Sequence, residues 1–175
     1  DRLLGGLDFA GTISSGRPLF TTGLLEAVDD GVLVLAMAER IPLEAAAIYA
    51  MTLDGGEVQI ERDGTTRRAA SRFGVIALDE GLDDDERLVD SLSDRMAFSL
   101  LLDDASLVDL DTGDWTRDDI LAARKRLRTV RVDDAIIDRL CVSSLAFGIP
   151  SARAELLALR AARVACALRG GRKVS

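Results

Sequence analysis

An unbroken apolar run near the start of residues 31–40, which read GVLVLAMAER, constrains the fold more than any other part of the sequence. Val32, Leu33, Val34 and Leu35 follow one another without an intervening polar residue. Strands with one wet face alternate apolar and polar residues, whereas strands of a parallel sheet are covered on both faces and read as continuous apolar runs. The run therefore predicts a buried strand of a parallel sheet, and with it an α/β fold.

Other segments fit the same class of fold. Apolar runs at residues 74–78 and 98–102 predict two further strands. Pro42 is suited to the first turn of a helix that fills the segment after the first strand. Residues 57–68 read EVQIERDGTTRR, with strand-like segments on both sides of an Asp-Gly turn. This pattern predicts a β-hairpin inserted before the second strand.

The last third of the chain predicts helices only. Thr116 and Asp119 have the spacing of a capping box at the start of one helix. Asp133 is predicted to cap a second helix and Ser151 a third, which ends before a Gly-Gly pair. The second helix is expected to bury a face made of Ile136, Ile137, Leu140, Cys141 and Leu145.

The composition excludes several kinds of chemistry. The chain has no histidine, which excludes Ser-His triads, imidazole acid–base catalysis and His-ligated zinc, and we expect no metal site. Neither of its lysines, Lys125 and Lys173, follows a glycine, so a GxxxxGK[ST] phosphate-binding loop does not occur in this sequence. Cys141 and Cys166 are expected to be reduced core residues.

Charge and hydropathy restrict the expected partners. The net charge of -8 argues against nucleic acid or an anionic membrane as the main partner. No apolar run approaches the roughly 18 residues of a membrane span, and no signal peptide is recognisable, which favours a cytoplasmic location. Arginines surround the predicted hairpin, at Arg62, Arg67, Arg68 and Arg72. They indicate either nucleic-acid contact or an exposed hairpin that contacts a protein neighbour.

The order of these segments resembles that of the magnesium chelatase AAA+ subunits, the D/I family. Residues 1–8, DRLLGGLD, match the pattern D-R-x-x-G-x-L-D. Residues 23–33, GLLEAVDDGVL, share the glycines and leucines of G-L-L-x-x-A-x-x-G-x-L, with Ala27 one position before the alanine of the pattern. The stretch SLSDRM at residues 91–96 is similar to the L-L-D-R-F helix end of that family. Residues 149–174 are similar to its lid stretch, and the hairpin to the insertion before its sensor strand. The resemblance covers nearly the whole chain.

The resemblance implies an α/β fold of AAA+ type. The expected core has a parallel sheet, an incomplete N-terminal part and an inserted β-hairpin, and a small all-α lid follows it. We expect the partial core at residues 1–103, a linker at 104–115 and the helical lid at 116–175.

The departures from the family pattern concern the residues of ATP hydrolysis. Ala36 and Met37 stand where the family has an Asp-Glu pair, and the polar sensor Asn falls near Glu80. Loss of the acids removes the usual Mg²⁺ coordination and water orientation, so hydrolysis should be crippled. The pattern resembles the D-type branch, whose AAA+ domain is the degenerate partner of the hydrolytic subunit I.

The resemblance also implies roles for two retained arginines. Arg95 matches the family's arginine finger, which acts in trans on a neighbour's nucleotide, and Arg153 matches the sensor arginine of the lid. We therefore expect ATP and Mg²⁺ at an interface with subunit I, and no cofactor bound by this chain alone. The implied assembly is a hetero-oligomeric ring that works with the large porphyrin-binding subunit of the chelatase. Its reaction is Mg²⁺ insertion into protoporphyrin IX, a nitrogen–metal ligation in chlorophyll or bacteriochlorophyll biosynthesis for photosynthesis.

Two alternative functions stay open at the level of sequence. One is an AAA+-like module that remodels DNA through the arginine-bearing hairpin, which would show strongly salt-dependent DNA binding. The other is a different chelatase-like ATPase with a P-loop upstream of Asp1, which would turn over ATP itself.

Overall fold

The computed structural model describes residues 2–62, 65–83, 85–102, 115–149 and 151–174. It divides into two compact units, Asp1–Arg95 and Met96–Ser175. Most of the linker predicted at residues 104–115 lies outside the described residues, so the domain boundaries stay predictions. The described fold is α/β, with a small parallel sheet and several helices.

The first unit begins with a two-stranded antiparallel ribbon. Its strands are β1 (Gly5–Leu7) and β2 (Phe20–Thr22), and helix α1 (Phe9–Ser15) lies between them in the chain. Asp8 caps α1, because its Oδ1 accepts the backbone N–H of Gly11 at 2.9 Å. The second aspartate of the D-R-x-x-G-x-L-D pattern, Asp8, therefore has a structural role in this chain.

Two glycines allow the backbones of the two strands of the ribbon to approach each other closely. A Cβ on Gly23 would lie 2.3 Å from the carbonyl carbon of Leu4, and a Cβ on Gly5 would lie 2.1 Å from the carbonyl oxygen of Thr21. Gly5 also has a φ of 75°, in the left-handed region. Both glycines belong to the sequence patterns of the resemblance, and both are required here by backbone contact.

The first two predicted strands are confirmed, and they form a parallel sheet. Helix α2 (Leu24–Ala27) leads to β3 (Val32–Leu35), which pairs in parallel with β6 (Gly74–Ala77). In the register of the pair, Val32 lies opposite Gly74 and Leu35 lies opposite Ala77. The carboxyl ends of the two strands therefore lie side by side.

The apolar run predicts that β3 is buried on both faces, and this prediction is wrong for the described residues. Leu33 and Leu35 are 6% and 7% exposed, whereas Val32 and Val34 are 58% and 55% exposed. Side chains of a strand alternate between its two faces, and the described residues cover only one of them.

Between the paired strands lie helix α3 (Leu43–Gly55) and a hairpin of β4 (Glu57–Arg62) and β5 (Thr65–Ala70). The helix and the antiparallel hairpin are as predicted, and the turn residues 63 and 64 lie outside the described residues. Helix α4 (Asp90–Ser93) follows β6 and packs on α3. The buried apolar side chains of this unit are Leu25, Leu33, Leu35, Ala38, Ala46, Ala50, Val58, Ile60 and Leu92.

The strand predicted at residues 98–102 is wrong. This segment has no strand in the structure, and Phe98 and Leu101 are 72% and 91% exposed. A strand forms by exchanging backbone hydrogen bonds with a neighbour, and no strand among the described residues pairs with this segment. Its apolar composition alone therefore does not make it a strand.

The second unit consists of α5 (Arg117–Leu127), α6 (Asp134–Ala146) and α7 (Ala152–Leu168). The predicted capping box at Thr116 and Asp119 is confirmed, and so is the Ser151 cap of α7. Its core comprises Ala123, Val130, Ala167 and Val174, against which Leu127, Val132, Ile136, Ala162, Cys166 and Leu168 pack. None of the helices in the described chain is long and apolar enough to cross a membrane.

Two predictions about α6 are wrong. Asp133 precedes the helix but makes no capping hydrogen bond with its side chain, and instead its carboxylate lies 2.6 Å from Lys173 Nζ. The predicted apolar face includes Leu145, which is 77% exposed, whereas Ser144 is buried. Helix α7 packs on α6, and Ile136 is the part of the predicted face that packs against the core of this unit.

Candidate functional site

The carboxyl end of β3 carries no carboxylate at the two expected positions. Ala36 and Met37 follow the strand, and both are exposed. Met37 has φ 48° and ψ 52°, a left-handed conformation that is uncommon for a residue with a long side chain. It begins a 3₁₀ turn (Ala38–Arg40), and the N–H of Ala38 donates to the carbonyl oxygen of Leu78 at 2.8 Å.

The sequence analysis did not single out a nearby acid, Glu39. Its side chain is 2% exposed, and its Oε2 accepts the backbone N–H of Glu80 at 3.1 Å. Arg40 Nε lies 3.3 Å from Oε1 of the same carboxylate. Glu39 therefore connects the ends of β3 and β6, and brings the Ala36–Met37 turn next to the predicted sensor position. An acid within the turn after an apolar strand is the signal that could have revealed it.

These strand ends do not fit a magnesium site. Magnesium requires several oxygen ligands, and Ala36 and Met37 supply none from their side chains. Glu39 is turned inward onto the Glu80 backbone, which occupies one of its two oxygens, while Arg40 faces the other. No group of three or more potential ligand residues that could hold a metal occurs in the described part of the chain.

Arg95 lies just after α4, at the end of the first unit. Its Nε donates to Asp54 Oδ1 at 3.1 Å, and one terminal nitrogen donates to Asp54 Oδ2. The other terminal nitrogen donates to the carbonyl oxygen of Ser91 at 2.5 Å. The Arg95 side chain is 17% exposed and that of Asp54 is 41% exposed. The guanidinium is therefore held in a fixed plane, on a side chain that is mostly buried.

Arg153 lies in the second unit, in the first turn of α7. Its backbone N–H donates to the Ser151 hydroxyl at 3.3 Å, and its side chain is half-buried. The N-terminus of a helix is electropositive, so a cation there is not favoured by the helix itself. The arrangement agrees with the position predicted for Arg153, while its role as a sensor stays a prediction.

Two of the hairpin arginines are engaged within the first unit. Arg67 forms a two-pronged ion pair with Glu26 of α2, with Nη1 3.0 Å from Oε1. Arg68 Nη1 lies 3.3 Å from an oxygen of Glu57 on the paired strand. These contacts give Arg67 and Arg68 a structural role, since they fix the hairpin to α2 and to itself.

An open depression of about 700 Å³ lies beside the end of β2. Tyr49 of α3 lines it, together with Arg2, Thr21 and Gly23. Burial raises the pKa of the Tyr49 hydroxyl, because the phenolate would lose hydration there.

The chain is similar to magnesium chelatase subunits. It is 38% identical to the magnesium-chelatase 60 kDa subunit of Cereibacter sphaeroides over 170 residues, which cover 97% of this chain and 27% of that protein. It is 32% identical to the 60 kDa subunit of Rhodobacter capsulatus, over 98% of this chain and 28% of that protein. The 38 kDa subunit of Rhodobacter capsulatus is 28% identical over 99% of this chain and 56% of its own length. The chain thus spans about a quarter of the 60 kDa relatives. No family model matches it.

Proposed function

We propose that this chain is the AAA+ module of a D-type magnesium chelatase subunit. In this proposal the module does not hydrolyse ATP, but assembles with the ATPase subunit I and completes the nucleotide site of that neighbour. The assembly then supports Mg²⁺ insertion into protoporphyrin IX on the large porphyrin-binding subunit, in the synthesis of chlorophyll or bacteriochlorophyll. The similarity to the 60 kDa relatives over nearly the whole chain supports a place in this complex.

The observation that carries the non-hydrolysing role is the end of β3. Ala36 and Met37 are exposed there without a carboxylate, and Glu39, the acid of the turn that follows them, is buried against the backbone of Glu80. A hydrolytic site needs an acid for the metal and a polar group that orients water. In this proposal the chain keeps the strand and the turn of such a site, while the Glu39 carboxylate joins the ends of the two strands instead of binding a metal.

Arg95 supports the second half of the proposal. Its side chain is 17% exposed, and its guanidinium is oriented by Asp54 and Ser91. An arginine supplied by a neighbouring subunit stabilises charge on a transferring phosphoryl group, and is worth about 10³- to 10⁵-fold in turnover. A module without hydrolytic acids can still contribute to catalysis through such a residue.

The test compares ATP turnover by subunit I alone and with the full-length subunit that carries this chain. We expect the wild-type subunit to change turnover and Arg95→Ala to abolish that change, because the neighbour's site loses its cation. Arg87→Ala is the matched control: Arg87 pairs with Asp90 beside α4, and its side chain is 69% exposed. It should behave as wild type.

Three results would contradict the proposal, each in a different way. Unchanged turnover and no association with subunit I would remove the assembly role. ATP turnover by the full-length subunit alone, lost in Glu39→Gln, would favour a chelatase-like ATPase with its own active site. Strong, salt-dependent DNA binding that is lost in Arg68→Ala would favour the DNA-remodelling alternative.

A further inference from the structure

Asp54 occupies a position in α3 that the helix itself does not favour. It lies in the last turn of Leu43–Gly55, where the exposed carbonyl groups make the helix end electronegative. No basic residue lies in that last turn. Arg95, which lies 41 positions further along the chain, donates to Asp54. The aspartate is thus poorly placed for α3 and well placed for the arginine.

The contact between the two side chains is two-pronged. Nε and one terminal nitrogen of Arg95 each donate to a different oxygen of Asp54, the side-on arrangement that fixes the plane of a guanidinium. The Ser91 carbonyl accepts from the other terminal nitrogen. Exposed ion pairs between flexible side chains contribute little, but here one partner is 17% exposed and held at three points.

This arrangement leaves a defined part of the guanidinium for a ligand. An arginine has five N–H groups, and the contacts with Asp54 and Ser91 use three of them, one on each nitrogen. The two others are one N–H on each terminal nitrogen. Two N–H groups that point the same way match two oxygens of a phosphate or carboxylate.

We propose that Asp54 is a positioning residue, which orients Arg95 so that its two remaining terminal N–H groups face a phosphoryl oxyanion on a neighbouring subunit. The proposal rests on the proposed function for its ligand. Its geometric part, that Asp54 fixes the Arg95 side chain, stands on the contacts within this chain. The carboxylate lowers the net charge at the site, and in exchange it restricts the guanidinium to one orientation before the ligand arrives.

The first experiment measures the orientation directly, without any reaction. In the chain labelled with ¹⁵N, the Arg95 Nε–H signal is assigned by its disappearance in Arg95→Ala. We expect this proton to exchange slowly with water in the wild type, and at least tenfold faster in Asp54→Ala and Asp54→Asn. Asp54→Glu, which keeps a carboxylate, should restore part of the protection. Asp90→Ala, which removes the exposed partner of Arg87 on α4, is the matched control and should leave the signal unchanged.

The second experiment measures the effect of the full-length subunit on ATP turnover by subunit I. A misplaced catalytic group costs up to about 100-fold, so we expect Asp54→Ala to reduce the effect on kcat by about 10- to 100-fold and to leave KM nearly unchanged. The double variant Asp54→Ala/Arg95→Ala should be no worse than Arg95→Ala alone, because the two residues act through one group. Asp54→Glu should recover part of the effect.

The outcomes separate this inference from the proposed function. Unchanged exchange of the Arg95 Nε–H in Asp54→Ala, or full stimulation by Asp54→Ala where Arg95→Ala gives none, would overturn the positioning role. If Arg95→Ala itself leaves turnover unchanged, the proposed function fails, and the role of Asp54 towards a phosphoryl group fails with it. Unfolding of Asp54→Ala is not expected, since removing an acid from the C-terminal turn favours the helix.

Discussion

The substitution Gly23→Ala tests whether the close backbone approach between Gly23 and residues 3–5 is needed for the fold. The new methyl group would lie 2.3 Å from the Leu4 carbonyl carbon, 2.4 Å from the Gly5 nitrogen and 2.7 Å from the Leu3 carbonyl oxygen. All three are backbone atoms, so no side chain can rotate away. The two chain segments must separate by about 1 Å to reach an ordinary contact distance between carbon atoms of about 3.5 Å.

The cost follows from what that separation breaks. The N–H of Leu24 donates to the Arg2 carbonyl oxygen at 2.9 Å, and the N–H of Leu25 donates to the Leu3 carbonyl oxygen at 3.1 Å. Lengthening both by about 1 Å loses two hydrogen bonds at about 1 kcal/mol each. Overpacking adds about 1–3 kcal/mol, and the lower entropy of the unfolded alanine chain returns about 0.4–1 kcal/mol. The net loss of unfolding free energy is about 2–5 kcal/mol.

Urea unfolding followed by circular dichroism measures this loss, and hydrogen exchange at the Leu24 and Leu25 amides locates it. We expect a lower urea midpoint and faster exchange at both amides. Gly55→Ala is the matched control, since its methyl group would meet only the Glu57 side chain at 3.8 Å. It should be neutral or slightly stabilising, because alanine is favoured over glycine in a helix. If Gly23→Ala were as stable as Gly55→Ala, the steric reasoning would be refuted.

Two further predictions concern titration. Burial raises the pKa of Tyr49 in the folded state. The contribution of Tyr49 to the free energy of unfolding is therefore fully present below the unfolded pKa, about 10, and is lost as pH rises through the folded pKa. Tyr49→Phe should remove this alkaline loss in urea titrations between pH 9 and 11, and an unchanged loss would contradict the assignment. Hydrogen bonds from the Thr116 side chain and backbone lower the pKa of Asp119 in the folded state. The stabilisation by the capping box is therefore fully present above the unfolded pKa of Asp119, near 3.8, and is lost as pH falls through its folded pKa. Asp119→Ala should abolish this acid-dependent loss of helicity, and Asp118→Ala should retain it.

Local features of the fold were predictable from the sequence. The capping box at Thr116 and Asp119 depends on residues three positions apart, and the hairpin on strand-like segments beside an Asp-Gly turn. The two strands β3 and β6 of the parallel sheet were also indicated, because both segments are short apolar runs with the length of buried strands. The run at residues 98–102 shows the limit of this argument, since a strand also needs a neighbour to exchange hydrogen bonds with.

The contacts that define the candidate site were not predictable. Glu39 with Glu80, and Asp54 with Arg95, are each 41 positions apart, and neither pairing has a spacing rule in the sequence. The resemblance identified Ala36, Met37, Glu80 and Arg95 as positions, without saying what surrounds them. Only the three-dimensional structure reveals that the buried acid beside β3 binds a backbone amide, and that the arginine is held by an aspartate.

The wide separation of these contacts in the chain has a consequence for the order in which the protein folds. The β4–β5 hairpin joins neighbouring segments and can form within about 1–10 μs. The Glu39–Glu80 and Asp54–Arg95 contacts must close far longer loops, and they require α3 and the hairpin to be in place between their partners. The orientation of Arg95 is therefore among the last features of the first unit to be established as that unit folds. Until α3 and the hairpin are in place, the chain carries the arginine without its fixed orientation.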